Sequence, residues 1–111
     1  MKKWRCKGCG YIHDGDDVCI KCPKCGAPAS SFEELDQVAS DLIERSRHTN
    51  ALHAQLIDLA RQIERICEDG IKDALDPGCV DVFEKSLKAS YVQMKLSMTE
   101  IEGHMKKGKW G

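Results

Sequence analysis

Cysteine is the residue type whose spacing in this chain points to chemistry. Cys6-Lys7-Gly8-Cys9-Gly10 and Cys22-Pro23-Lys24-Cys25-Gly26 repeat one device. Two thiolates separated by two residues reach one ion from a single tight turn. A glycine after the second cysteine tolerates a positive φ, so the backbone can curl with its amide directed at sulfur. Two such turns offer four sulfurs to a tetrahedron, the coordination that zinc and iron share. The candidate metal ligands are therefore Cys6, Cys9, Cys22 and Cys25. Cys19 forms a competing Cys-x-x-Cys with Cys22. In that register Pro23 would follow the second cysteine with no N–H to give a sulfur, and β-branched Ile20 would have to occupy the tight turn. Cys19 is read instead as a small, partly buried thiol.

These ligands need a scaffold that the N-terminal segment cannot build from apolar material. Chains below about 40 residues seldom fold without a metal, disulfides or a partner. The seven cysteines are an odd number, and no apolar h-region follows the basic Met1–Arg5 start. The expectation is a reducing cytoplasmic setting, where clustered thiols bind metal rather than one another. The first domain is expected over residues 1–30.

The residues around the two turns carry a family resemblance. Trp4-Arg5-Cys6-Lys7-Gly8-Cys9-Gly10-Tyr11-Ile12-His13 resembles the first knuckle and strand of a rubredoxin-type domain. Gly15 falls in the turn, Cys22-Pro23-Lys24-Cys25-Gly26-Ala27-Pro28 resembles the second knuckle, and Phe32 stands where the family has an aromatic. Twelve residues separate Cys9 from Cys22, which is similar to the shortened rubrerythrin form, although Cys19 stands where that family has proline. Over residues 3 to 32 the resemblance implies three short antiparallel strands around one iron held by four cysteines. It also implies one-electron cycling between ferric and ferrous states, with Trp4, Tyr11 and Phe32 as a miniature core. A closed four-sulfur site keeps one geometry in both states and leaves no position for substrate.

Beyond a short linker at Ala27–Ser30 the sequence turns helical. Ser31 with Glu34 reads as a capping box, and no Pro or Gly follows until Gly70. Leu35, Val38, Leu42, Leu52, Leu56, Leu59, Ile63 and Ile66 keep heptad spacing, interrupted at Arg45 and Thr49. A helix of that length would span about 57 Å. Asp76-Pro77 reads as an N-cap with proline at the first position, opening a second helix with Phe83, Leu87, Tyr91, Met94, Met98, Ile101 and Met105 on one face. Lys106–Lys109 reads as a frayed tail. The second domain is thus expected over residues 31–111, an antiparallel two-helix hairpin of about 32–69 and 77–106. One hairpin leaves apolar faces uncovered, so a homodimer forming a four-helix bundle is expected.

Formal net charge is −1, and neither part has the strong basic field of a nucleic-acid binder. No apolar run reaches the length of about 20 residues that a membrane span needs. No Glu-x-x-His motif supports a di-iron bundle. Glu44 with His48 and Glu100 with His104 sit four apart and read as solvated pairs on outer helix faces, while His53 and Glu64 lie elsewhere on the first helix. Cys67 and Cys79 flank the expected hairpin turn and read as half-buried thiols. No phosphate loop or Cys–His–acid nucleophile arrangement is present, so no catalytic residue is assigned. The sequence reads as an electron carrier with a redox partner protein. The alternative is a structural zinc ribbon on a helical protein-binding scaffold.

Overall fold

The computed structural model describes all residues, 1–111. Three short strands, β1 (Lys3–Cys6), β2 (Ile12–Asp14) and β3 (Phe32–Glu34), precede two long helices, α1 (Gln37–Asp73) and α2 (Pro77–Lys106). The chain divides into two compact units, residues 1–47 with 108–111, and residues 48–107.

In the first unit the strands form one antiparallel sheet of order β2-β1-β3. β1 is central: Trp4 pairs with His13 on one side and Glu34 on the other. This corrects the capping-box reading. Ser31 closes a 3-10 turn, Ala29–Ser31, and Glu33 and Glu34 are strand residues opposite Arg5 and Trp4. Extending α1 back to Ser31 would leave the outer edge of β1 without partners, an uncompensated loss of backbone hydrogen bonds. The helix is capped by Asp36, whose carboxylate accepts from Ala39 N–H at 2.8 Å. The Ala27–Ser30 stretch is no loose linker either, because Pro28 bridges to Lys21 and Ala29 N–H donates to the Ile20 carbonyl.

An ion-pair cluster joins the sheet to the start of α1. Lys3 is 2% exposed, with Nζ 2.7 Å from Glu44 and 3.2 Å from Asp14. Arg47 binds Asp14 through both Nη atoms and reaches Glu44 at 3.2 Å. Arg47 Nε also donates to the Gly111 carbonyl at 2.8 Å. The last residues therefore belong to this unit rather than fraying; Gly111 sits so close to Ile12 and Ile43 that a side chain there would collide with Ile12.

In the second unit the two helices meet through small and polar residues. Asn50, Ala60 and Cys67 of α1 and Ser90, Ser97 and His104 of α2 are buried. His104 Nδ1 pairs with Asn50 Oδ1, His53 Nδ1 lies 3.3 Å from Ser97 Oγ, and the two imidazoles meet edge to face at 6.0 Å. The leucine–isoleucine stripe of α1 is not the seam of this pair. Leu52, Leu56, Leu59, Ile63 and Ile66 are all exposed, and the covered row runs one residue later, at His53, Ile57, Ala60, Glu64 and Cys67. On α2 the expected stripe splits: Phe83, Leu87, Met94 and Ile101 are half-buried, whereas Tyr91, Met98 and Met105 are exposed.

Gly70 does not end α1, which runs on to Asp73. A Cβ at Gly70 would lie 2.3 Å from the Phe83 ring, so the missing side chain is what lets that ring pack against α1. The left-handed position that closes a helix falls on Ala74, φ +50°. Asp76 then caps α2, its carboxylate accepting from Cys79 N–H at 2.7 Å with Pro77 behind it.

Candidate metal centre

The two cysteine turns fold alike. Gly10 N–H donates to the Cys6 carbonyl and Gly26 N–H to the Cys22 carbonyl, at 2.8 and 2.9 Å. Cys6 N–H reaches the Tyr11 carbonyl and Cys22 N–H the Ala27 carbonyl, both at 2.8 to 2.9 Å. Gly10 and Gly26 hold φ of +84° and +79°, which a Cβ would oppose. The amides that serve sulfur are not the glycine amides expected from the sequence. Tyr11 N–H serves Cys9, and Cys25 and Lys24 N–H serve Cys22. The glycines bend each turn, and neighbouring residues supply the donors.

The Sγ atoms of Cys6, Cys9, Cys22 and Cys25 all lie within 4.8 Å of one another. Cys6 and Cys25 stand 3.7 Å apart, Cys9 and Cys22 3.6 Å. A disulfide would need about 2.05 Å. A tetrahedron with metal–sulfur bonds of about 2.3 Å has an edge of about 3.8 Å. The sulfurs therefore lie close enough together to share a single four-coordinate ion, each turn offering one buried thiol, Cys6 or Cys22, and one exposed thiol, Cys9 or Cys25.

The thiols differ in readiness to ionise. Burial pushes the Cys22 thiol up, but the Cys25 and Lys24 amides and the Cys9 and Cys25 thiols donate to its sulfur and bring it down to about 7. For Cys9 the Tyr11 amide favours the thiolate. Burial and competition with the Cys22, Cys25 and Cys6 thiols outweigh it, and the group is pushed up to about 12. A second thiolate so close to the first is unfavourable until a cation enters, so metal uptake expels protons.

Cys19 is outside this quartet. It packs, partly buried, against Cys6, Cys22 and Phe32, as do Trp4, Val18 and Ala27. Phe32 is the buried aromatic of this small core, and Trp4 is half-buried with its indole N–H on the Gly15 carbonyl at 3.0 Å. Tyr11, expected in the core, is 38% exposed, because its backbone rather than its ring serves the first turn.

The helix Glu and His residues do not join the four thiols, and His104, read from the sequence as solvated, is buried. Glu44 is bound to Lys3 and Arg47, and His48 is exposed. His104 Nε2 lies 3.4 Å from Glu100, while its other nitrogen is taken by Asn50. The four cysteines are the one group of three or more His, Cys, Asp or Glu side chains close enough to share an ion. All seven cysteines are free, with Cys67 buried and Cys79 half-buried. The polar seam around Asn50, Ser97 and His104 escapes a search for apolar periodicity. Its trace in the sequence is the seven-residue recurrence of Ser90, Ser97 and His104.

Residues 4–33 match the family model of the rubredoxin-like domain of rubrerythrin. The segment is 48% identical over 33 residues to rubrerythrin of Nitratidesulfovibrio vulgaris, which covers 30% of this chain and 17% of that protein. Reverse rubrerythrin-1 of Clostridium acetobutylicum is 28% identical over 82 residues, 74% of this chain and 40% of that protein. Those 82 residues are more than the sheet region contains, so this similarity extends into the helices. The chain thus covers two fifths or less of the length of either relative. No solved structure matches it. The N-terminal segment is a rubredoxin-like domain of the rubrerythrin type, carrying a four-cysteine metal-binding site.

Proposed function

We propose that this chain is a one-electron carrier with a single iron held by Cys6, Cys9, Cys22 and Cys25, and that its helical hairpin serves as a scaffold for dimerisation and docking. The observation that carries this reading is the paired-turn geometry inside a segment matching a rubredoxin-like domain. Iron in four thiolates supplies a ferric–ferrous couple with little change of geometry. The chain's own contribution is to fix the sulfurs, to direct the Tyr11, Lys24 and Cys25 amides at them, and to shield Cys6 and Cys22 from water. Exposed Cys9 and Cys25 bring the site to the surface, where an electron can pass without substrate binding.

A homodimer is part of this proposal. Five large apolar residues exposed at heptad spacing on α1, Leu52 to Ile66, form a face that a second hairpin would cover. No helix is long and apolar enough to cross a membrane. Seven free thiols fit a reducing compartment such as the cytoplasm.

The second reading is a structural zinc ribbon, in which the metal fixes the sheet and the sheet anchors the start of α1. The buried Lys3 cluster favours it, because that cluster ties the metal domain to α1. Protein purified from its native host decides between them. The carrier reading expects a red solution that bleaches with dithionite and recolours in air, with one iron per chain. A colourless protein with one zinc per chain removes it.

A further inference from the structure

The two cysteine turns carry charged side chains of one sign. Residues 6–11 and 20–27, which form the two cysteine turns, contain Lys7, Lys21 and Lys24 and no acidic residue, and all three lysines are exposed. Lys7 follows Cys6 directly and Lys24 precedes Cys25, so each starts about 3.8 Å along the backbone from a ligand. The Lys21 stem passes over Gly26, where a Cβ would meet its Cε at 3.4 Å. None of the three has an acidic partner within the chain, unlike Lys3, which is held by Asp14 and Glu44. The acidic residues of this sheet region fall outside the two turns. Asp14 is bound to Lys3 and Arg47, Asp16 and Asp17 stand in the turn after β2, and Glu33 and Glu34 are on β3. Ile20, 91% exposed, places an apolar side chain next to Lys21 in the chain.

The ion's own charge does not cancel this field. A ferric ion in four thiolates carries about −1 and a ferrous ion about −2, which leaves three lysines with a net charge near +2 or +1.

We infer that the Lys7–Lys21–Lys24 face docks an acidic redox protein, one whose own electron-transfer centre is bordered by Asp and Glu. The inference rests on the electron-carrier reading and names the class of partner. Opposite charge speeds encounter and selects orientation, and Ile20 adds a small apolar contact. A ferric ion held by the four cysteines would be the acceptor, reduced to ferrous by the one electron that the partner's reduced centre gives up. The face then loses one unit of positive charge, so attraction to the acidic partner weakens after transfer and release is favoured.

Two measurements on the full chain test this. In the zinc-loaded protein, paramagnetic broadening of amide resonances by hexacyanochromate(III), a redox-inert trianion, should centre on residues 7–10 and 21–26. It should vanish in 0.5 M salt and in the double variant Lys7→Glu, Lys24→Glu, and persist in Lys95→Glu. In the iron-loaded protein, raising ionic strength from 0.01 to 0.5 M should slow oxidation by ferricyanide about tenfold and speed oxidation by tris(phenanthroline)cobalt(III), with both trends reversed in the double variant. Broadening spread over the chain, or rates indifferent to salt, overturns the docking face. Localised broadening in a protein whose native metal is zinc keeps the anion-attracting face but removes the redox partner, so the two failures are distinguishable.

Discussion

Each ligand cysteine acts through what its immediate neighbours do for its sulfur. In Cys25→Ser the second turn loses its exposed ligand and the site its fourth sulfur. We expect metal content to drop by at least tenfold and the sheet's amide signals to collapse, while helical circular dichroism persists. Cys19→Ser should bind metal normally, since Cys19 packs on the core without joining the quartet. Elemental analysis of both variants checks the register, and loss of metal from Cys19→Ser alone would refute it. Asp14 gives a pH prediction. The Arg47 guanidinium and then Lys3 lower its carboxyl from 3.8 to about 2. A lowered pKa stabilises the fold at pH above the ordinary value, and that contribution is lost as pH falls from about 4 toward 2. With the side chain 30% exposed and partly screened by water, it amounts to roughly 1–2 kcal/mol. Asp14→Asn should therefore lower stability by about that much at pH 7, and the difference from the parent should close near pH 2. Chemical denaturation at a series of pH values measures it; a difference that stays constant with pH would contradict the pairing.

At the scale of elements, the cysteine turns were the most legible part of the sequence, because two ligands and a glycine within five residues specify a turn without help from the rest of the chain. The start of α2 was equally local, written in Asp76-Pro77. The start of α1 is less legible, because Ser31 with Glu34 fits a capping box locally while pairing with β1 claims Glu33 and Glu34 for a strand. Gly70 looked like a terminator because propensity alone cannot see Phe83 against it. The mutations expected here run against propensity. Gly70→Ala should destabilise the hairpin by roughly 1–3 kcal/mol, since overpacking outweighs the gain in helix propensity. Ala74→Gly should stabilise it by up to about 1 kcal/mol by relieving a left-handed alanine. Thermal melts of the two variants should move in opposite directions, and a rise in Tm for Gly70→Ala would show that the Phe83 ring turns aside at no cost.

For the whole molecule, heptad spacing identified an apolar stripe on α1 but not what lies against it. Within the hairpin the helices meet through Asn50, His53, Ser97 and His104, whose hydrogen bonds satisfy them there, and the leucines face outward. An exposed stripe at coiled-coil spacing is the face that the proposed second copy would cover. The homodimer reading therefore predicts that Leu59→Lys with Ile63→Lys shifts the sedimentation coefficient from dimer to monomer while leaving metal content unchanged. A parent protein already monomeric at 100 μM would contradict it. The ion decides what the molecule does, and X-ray absorption on protein isolated from its native host reads both the element and its ligands. We predict an iron edge, one atom per chain, with four sulfur neighbours at about 2.3 Å. A zinc edge, or a shell containing nitrogen or oxygen, would contradict it.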